Sequence, residues 1–208
     1  MLNSHLLIAF LVTTTIAMIV PGPDMLFVLA SGLRGGPKLA LLATSGVASG
    51  EAVHITLAAA GLSALFVTFP SAFTAVRIAG AAYLMYLGIQ SIRGRGGLSA
   101  GVDRSSRDRR GQAYVRGLLT NLGNPKMITF TIAFLPQFVD PRLGHIAAQF
   151  LLLGAIFLAF EFAIDGTVGV FAGRIGQLLA RRRVGRGVEI ATGSVFIGLA
   201  ARLAIDRR

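Results

Sequence analysis

Asp24 and Lys126 are ionisable residues that each directly follow a proline break in an otherwise apolar helical stretch, "MIVPGPDMLF" (18–27) and "TNLGNPKMIT" (120–129). Proline lacks an N–H, and its ring displaces the carbonyl four residues earlier. Pro21 and Pro23 therefore release the carbonyls of Ala17 and Ile19, and Pro125 releases that of Asn121. Gly22 removes side-chain bulk between its two prolines. Beyond each break a new half-helix begins, and Pro23 and Pro125 suit its first turn. Its unpaired N–H groups and positive dipole end favour an anion. Such a break offers acceptors for an ammonium and donors for a carboxylate, and a zwitterionic amino acid uses both. The residues expected to hold a substrate are thus Pro21, Gly22, Pro23, Asp24, Asn121, Asn124, Pro125 and Lys126. The bland alternatives are a kink that only shapes the helix, an Asp24 that only neutralises a dipole, and a Lys126 that snorkels to an interface. Lys126 is the more telling of the two charges, because a cation in a first helical turn opposes the dipole. It makes sense facing Asp24, Glu51 or a substrate carboxylate.

Four more ionisable residues within apolar stretches are candidates for chemistry. Glu51 and His54 stand one helical turn apart and share a face. A carboxyl and an imidazole so placed could carry protons, or form a structural hydrogen-bonded pair. Their Glu-x-x-His spacing also occurs in di-iron carboxylate sites, but those need a second such pair. Neither His5 nor His145 has an acid three residues before it. No metal site is expected. Glu161 and Asp165, four apart, form a second acidic pair that serves coupling or pairs with Lys126 or Arg174. Proton coupling is therefore assigned to Glu51, His54, Glu161 and Asp165. Gly46 and Gly50, and the series Gly166, Gly169, Gly173 and Gly176, read as helix-packing positions. Tyr83 and Tyr86 read as packing or interface anchors.

These charges matter because of where they sit. Of 208 residues 54% are hydrophobic and only 14% charged, with mean hydropathy +0.71; soluble domains carry about 25% charged residues. Apolar segments of spanning length recur along the chain, so this is an all-α integral membrane protein. The absence of cysteine excludes thiol chemistry and disulfides. A net charge of +11 does not point to nucleic acid, since the basic residues lie between the apolar segments. A cleaved signal peptide is not expected, because residues 1–20 contain no Lys or Arg.

Six segments are predicted, over about 3–32, 39–66, 71–92, 113–138, 144–171 and 187–204. The connection 93–112, with six Arg and five Gly, divides the chain into a first three-helix repeat (1–92) and a second (113–208). Fourteen Lys or Arg lie in the connections on one side against five on the other. This places loop 93–112 in the cytoplasm and both termini outside. Three segments per half means that the second repeat enters the membrane inverted, and the first helix of each repeat is broken by proline. Paired interruptions of this kind mark the binding site of a secondary transporter. No phosphate-binding G-x-x-x-x-G-K-[ST] sequence is present, so direct ATP coupling is not expected.

"PGPD", "GAAYLMYLG", "GLLTNLGNPK" and "AFLPQFVDP" together resemble the LysE/RhtB family of bacterial amino-acid exporters, the LysE-type translocators, from about Leu7 to Leu203. The family's Pro-Gly-Pro falls on Pro21, Gly22 and Pro23, and its Asn-Pro-Lys on Asn124, Pro125 and Lys126. The resemblance implies a transporter of the cytoplasmic membrane that moves amino acids or similar metabolites outward on the proton motive force. Its partners would be the amino acid, protons and lipid, with a homodimer as one option for assembly and no nucleic acid or cofactor. The alternatives are an exporter of another solute, such as a metal cation, and an integral membrane enzyme. Few soft ligands count against the metal. No nucleophile–base constellation supports the enzyme.

Overall fold

Helices follow the apolar runs, and proline and glycine decide where they stop. The computed structural model describes residues 3–19, 21–68, 70–93, 110–179 and 182–205. Helix α1 spans Ser4–Ile19, and α2 (Pro23–Thr68) starts on the second proline of the first break. Inside α2, Gly36 takes a positive φ of 71° and Pro37 restarts the helix. Glycine alone adopts that φ without penalty. The chain folds back there, so that Val28 of the first arm packs with Ala40, Ala43 and Val47 of the second.

Helix α3 covers Pro70–Ile92. Most of the predicted loop 93–112 lies outside the described residues. Helix α4 (Arg110–Leu122) takes up its last three, so the fourth segment starts earlier than expected. After Gly123 and Asn124 the chain enters a short α5 (Pro125–Thr129), then a π-helical turn (Phe130–Phe134) and a 3-10 stretch (Leu135–Phe138). Helix α6 spans Ile146–Val170 and α8 spans Arg182–Ile205. Between them lies α7 (Ala172–Leu179), which was not anticipated. Its eight residues are too few to span, and it rests on the first arm of α2, where Gly176 meets Leu33.

Among the described residues three helices are long and apolar enough to cross a membrane, Pro23–Gly61, Ile146–Val170 and Arg183–Ala201; Ser4–Met18 and Ile78–Ile92 are shorter apolar helices. Their outward faces are apolar, as Ile8, Leu57 and Ile78 illustrate. The fold is an all-helical membrane protein.

The bundle is built on close helix crossings. Helix α2 packs most extensively on α4 and α6, and α3 on α8. Glycines make these approaches possible, since membrane helices associate through close backbone packing. A methyl group on Gly46 would run into the Tyr114 carbonyl, and one on Gly117 into that of Ala43. At Gly88 it would lie 2.8 Å from the Gly193 carbonyl oxygen. Gly46→Val and Gly117→Val should therefore each destabilise the protein by about 1–3 kcal/mol through overpacking. Gly111→Ala, where a methyl meets nothing within 4 Å, should be close to neutral. Thermal unfolding in detergent checks all three.

Candidate functional site

The two breaks face each other and complete each other's bonding. Asp24, buried in the first turn of α2, accepts from Asn121 Nδ2 at 3.1 Å and from Asn124 Nδ2 at 2.7 Å. In the other direction, Lys126 Nζ reaches the Ala17 carbonyl oxygen at 3.4 Å. That carbonyl is one that Pro21 cannot use. The carbonyl freed by Pro125, that of Asn121, accepts from Asn124 N at 2.8 Å and faces His54 Nε2 at 3.4 Å. Each break thus supplies a polar group to the other.

Small residues admit this contact. A methyl on Gly22 would stand 3.1 Å from Lys126 Cδ, and one on Gly50 would stand 2.8 Å from Asn121 Oδ1. Asn124 also caps α5, its Oδ1 accepting from Lys126 N at 3.0 Å. The first-turn donor of α5 expected to meet a substrate anion is therefore held within the protein. What the second break presents to a ligand is the Lys126 ammonium.

Two cavities meet at Lys126. The larger, about 260 Å³, is lined by both breaks, through Pro21, Gly22, Pro23, Asn124, Pro125 and Lys126. Its other walls are Tyr86, Leu87, Gln90 and Ser91 of α3 and Thr192 and Phe196 of α8. Lys126 Nζ lies 5.8 Å from the centre of the Phe196 ring, and Gln90 Nε2 donates to Tyr86 Oη at 2.7 Å. The smaller, about 10 Å³, has room for roughly one water-sized probe; Asp24, Glu161 and Asp165 line it together with Lys126.

Six of the eight residues expected to hold substrate therefore border one cavity, while Asp24 and Asn121 stand behind it. The α3 and α8 walls were missed. Tyr86 and Gln90 four apart, and Thr192 and Phe196 four apart, were readable as one-faced pairs, but nothing local says that those faces meet the breaks.

The acids expected to couple protons are all buried, and His54 is half-buried. Glu51, fully enclosed, accepts from Thr131 Oγ1 at 2.6 Å, while His54 turns to the Asn121 carbonyl. Glu161 and Asp165 lie with Asp24 in the field of Lys126. Asp24 Oδ1, Glu51 Oε2 and Glu161 Oε2 are buried without a hydrogen-bond donor. Among the described residues no three His, Asp or Glu side chains converge as a metal shell requires.

The family model described as LysE type translocator matches residues 15–207. A protein named uncharacterized membrane protein from Vibrio cholerae is 33% identical over 98% of both chains. A homoserine/homoserine lactone efflux protein of Salmonella typhimurium is 31% identical over 96% of both. A Pseudomonas aeruginosa membrane protein is 34% identical over 90% of this chain and 89% of its own. No solved structure matches the chain.

Asn124 joins both breaks, so Asn124→Ala loses a cap and a buried bond to Asp24. Each is worth about 1 kcal/mol, more where a buried charge is left with fewer donors. A double-mutant cycle with Asp24→Ala, followed by thermal unfolding, should return a coupling above about 0.5 kcal/mol.

Proposed function

The chain belongs to the LysE type translocator family, and on that premise we propose that it is a secondary active exporter of a small neutral amino acid, homoserine being the first candidate, driven by protons. It is a transporter of the bacterial cell membrane rather than an enzyme. The observation that carries the substrate reading is that Lys126 is, among the described residues, the one cation in the wall of a cavity bounded by both breaks. A substrate carboxylate takes Lys126, a charge-assisted contact strengthened by low local dielectric. The ammonium takes the neutral oxygens of Gln90, Ser91 and Thr192 and the π face of Phe196. Among the described residues no acid lines that cavity, which disfavours a second positive charge on the substrate.

The wider architecture follows the paired interruptions. Six spans form two inverted three-helix repeats, 1–92 and 113–208, joined by the basic connection 93–112, with both termini outside. The second half carries the cation, Lys126, that completes the first half's break, as expected where a site lies between repeats. Glu51, Glu161 and Asp165, each a mid-bundle carboxyl, serve as the proton carriers.

Cells carrying the gene and preloaded with homoserine-containing dipeptide should lose homoserine to the medium at least about 10-fold faster than cells without it, and Lys126→Met should return them to background. Equal intracellular and extracellular profiles in the two strains would end the exporter reading. Ser105→Cys should resist an impermeant maleimide in intact cells and label after permeabilisation; labelling of intact cells inverts the topology.

A further inference from the structure

None of the residues that line the large cavity belongs to the stretch Phe130–Phe138, and toward the end of the bundle that carries Asn3 and Asp140 the interior is filled by aromatic rings. Phe130 and Phe157 have centroids 4.6 Å apart, Phe130 and Phe134 4.4 Å, Phe134 and Phe138 5.0 Å, and Phe138 and Phe10 5.3 Å. Every one of these rings is at most 2% exposed. A polar tie closes the end above them. Asn3 Nδ2 donates to Asp140 Oδ2 at 3.2 Å, and Gln149 Nε2 donates to the Asp140 carbonyl at 2.9 Å and the Gly144 carbonyl at 2.6 Å. On the orientation proposed above this is the outer end, so an exported solute must pass the rings.

Three of the rings, Phe130, Phe134 and Phe138, ride on a stretch whose backbone is π-helical and then 3-10. Such π turns are rare and concentrate at functional positions. Thr131 belongs to that turn, is fully buried, and gives its hydroxyl to Glu51 Oε1. That bond is 2.6 Å long. The buried acid at mid-bundle therefore holds, through one hydrogen bond, the segment that plugs the exit.

We propose that Thr131 is a positioning residue that transmits the protonation state of Glu51 to the Phe130–Phe138 seal. The proposal rests on the proton-coupled exporter reading. When Glu51 is ionised, Thr131 donates to a carboxylate and the π turn is held. A proton arriving from the outer side bonds to Oε2, the oxygen that lacks a donor, and Oε1 becomes a carbonyl oxygen. The Thr131 bond is then neutral and about half as strong. The turn is released, and Phe134 and Phe138 can withdraw from Phe10. Other groups bear on Glu51 from the elements around it, Asn121 from α4, Asp24 from the first turn of α2 and Glu161 from α6, with His54 one turn along its own helix. None of them stands on the aromatic segment, which singles out Thr131 as the link.

Purified protein in liposomes, with L-homoserine as probe, tests this in two arms. Thr131→Val should leave homoserine exchange at symmetric pH within about 3-fold of wild type while lowering accumulation driven by a pH gradient at least about 10-fold, and Thr131→Ser should restore it. In the second arm Ala133→Cys, set in the seal of this cysteine-free chain, is labelled from outside with an impermeant maleimide. Labelling, taken at each pH relative to that of an exposed Leu143→Cys control because only the thiolate reacts, should quicken as external pH falls, should be fast at every pH with Glu51→Gln, and should lose its pH dependence with Thr131→Val. Retained gradient-driven accumulation in Thr131→Val, or unchanged pH-dependent labelling in either variant, overturns the proposal. If Thr131→Val does not insert, the Glu51→Gln labelling decides alone. A wild type that exchanges no homoserine but labels as described refutes the substrate reading and leaves the seal standing.

Discussion

A broken helix inside a membrane is tenable only if something replaces the hydrogen bonds it gives up, and here each break is completed by the other. Buried polar groups without partners cost several kcal/mol in hydrocarbon. Lys126 meets a carbonyl exposed by Pro21, and Asn121 and Asn124 meet the acid that follows Pro23. The rest of the bundle is arranged to permit this contact. Gly22 and Gly50 clear the space, the glycine crossings of α2 on α4 bring the backbones together, and α6 delivers Glu161 and Asp165 to the far side of the same lysine.

This arrangement also explains why one cation stands among four acids. A lone lysine at mid-membrane depth is expensive, as is a lone carboxylate. Put together they reduce each other's cost, but four carboxyl groups and one ammonium cannot all be charged and balanced. The excess gives the cluster capacity for protons, the property a coupled transporter needs. The same lysine borders the larger cavity, so an anion placed there would be felt by the acids behind it.

Much of this was legible from residue types. Proline and glycine positions marked where α2 starts, where it bends at Gly36 and where α4 gives way to α5, because their effects are local and nearly context-free. The freed carbonyls of Ala17 and Asn121 could be named from the i−4 rule alone. Beyond the local bond from Asn124 N to the Asn121 carbonyl, their partners could not, since Lys126 and His54 reach them from 109 and 67 residues away. The expected open helix N-terminus after Asn124 was mistaken for the same reason. An Asn before a helix is an ordinary cap, and in this fold it caps and bridges at once. Helix α7 and the π turn left no signal, because an eight-residue amphipathic piece and a single wide turn carry too little periodicity to separate from their surroundings.

The bond between Asp24 and Asn124 spans 100 residues of chain, and that between Asp24 and Asn121 spans 97. At synthesis rates of about 5–20 residues per second, roughly 5–20 s separate the emergence of the acid from that of the amides that receive it. For that interval the nascent first half holds an uncompensated carboxyl and loose carbonyls at a depth where lipid offers them nothing. It must wait beside water or the insertion machinery, unable to settle as a finished unit. The order of assembly is thus written into the site: the amino-terminal half becomes a stable membrane structure only when the carboxy-terminal half arrives.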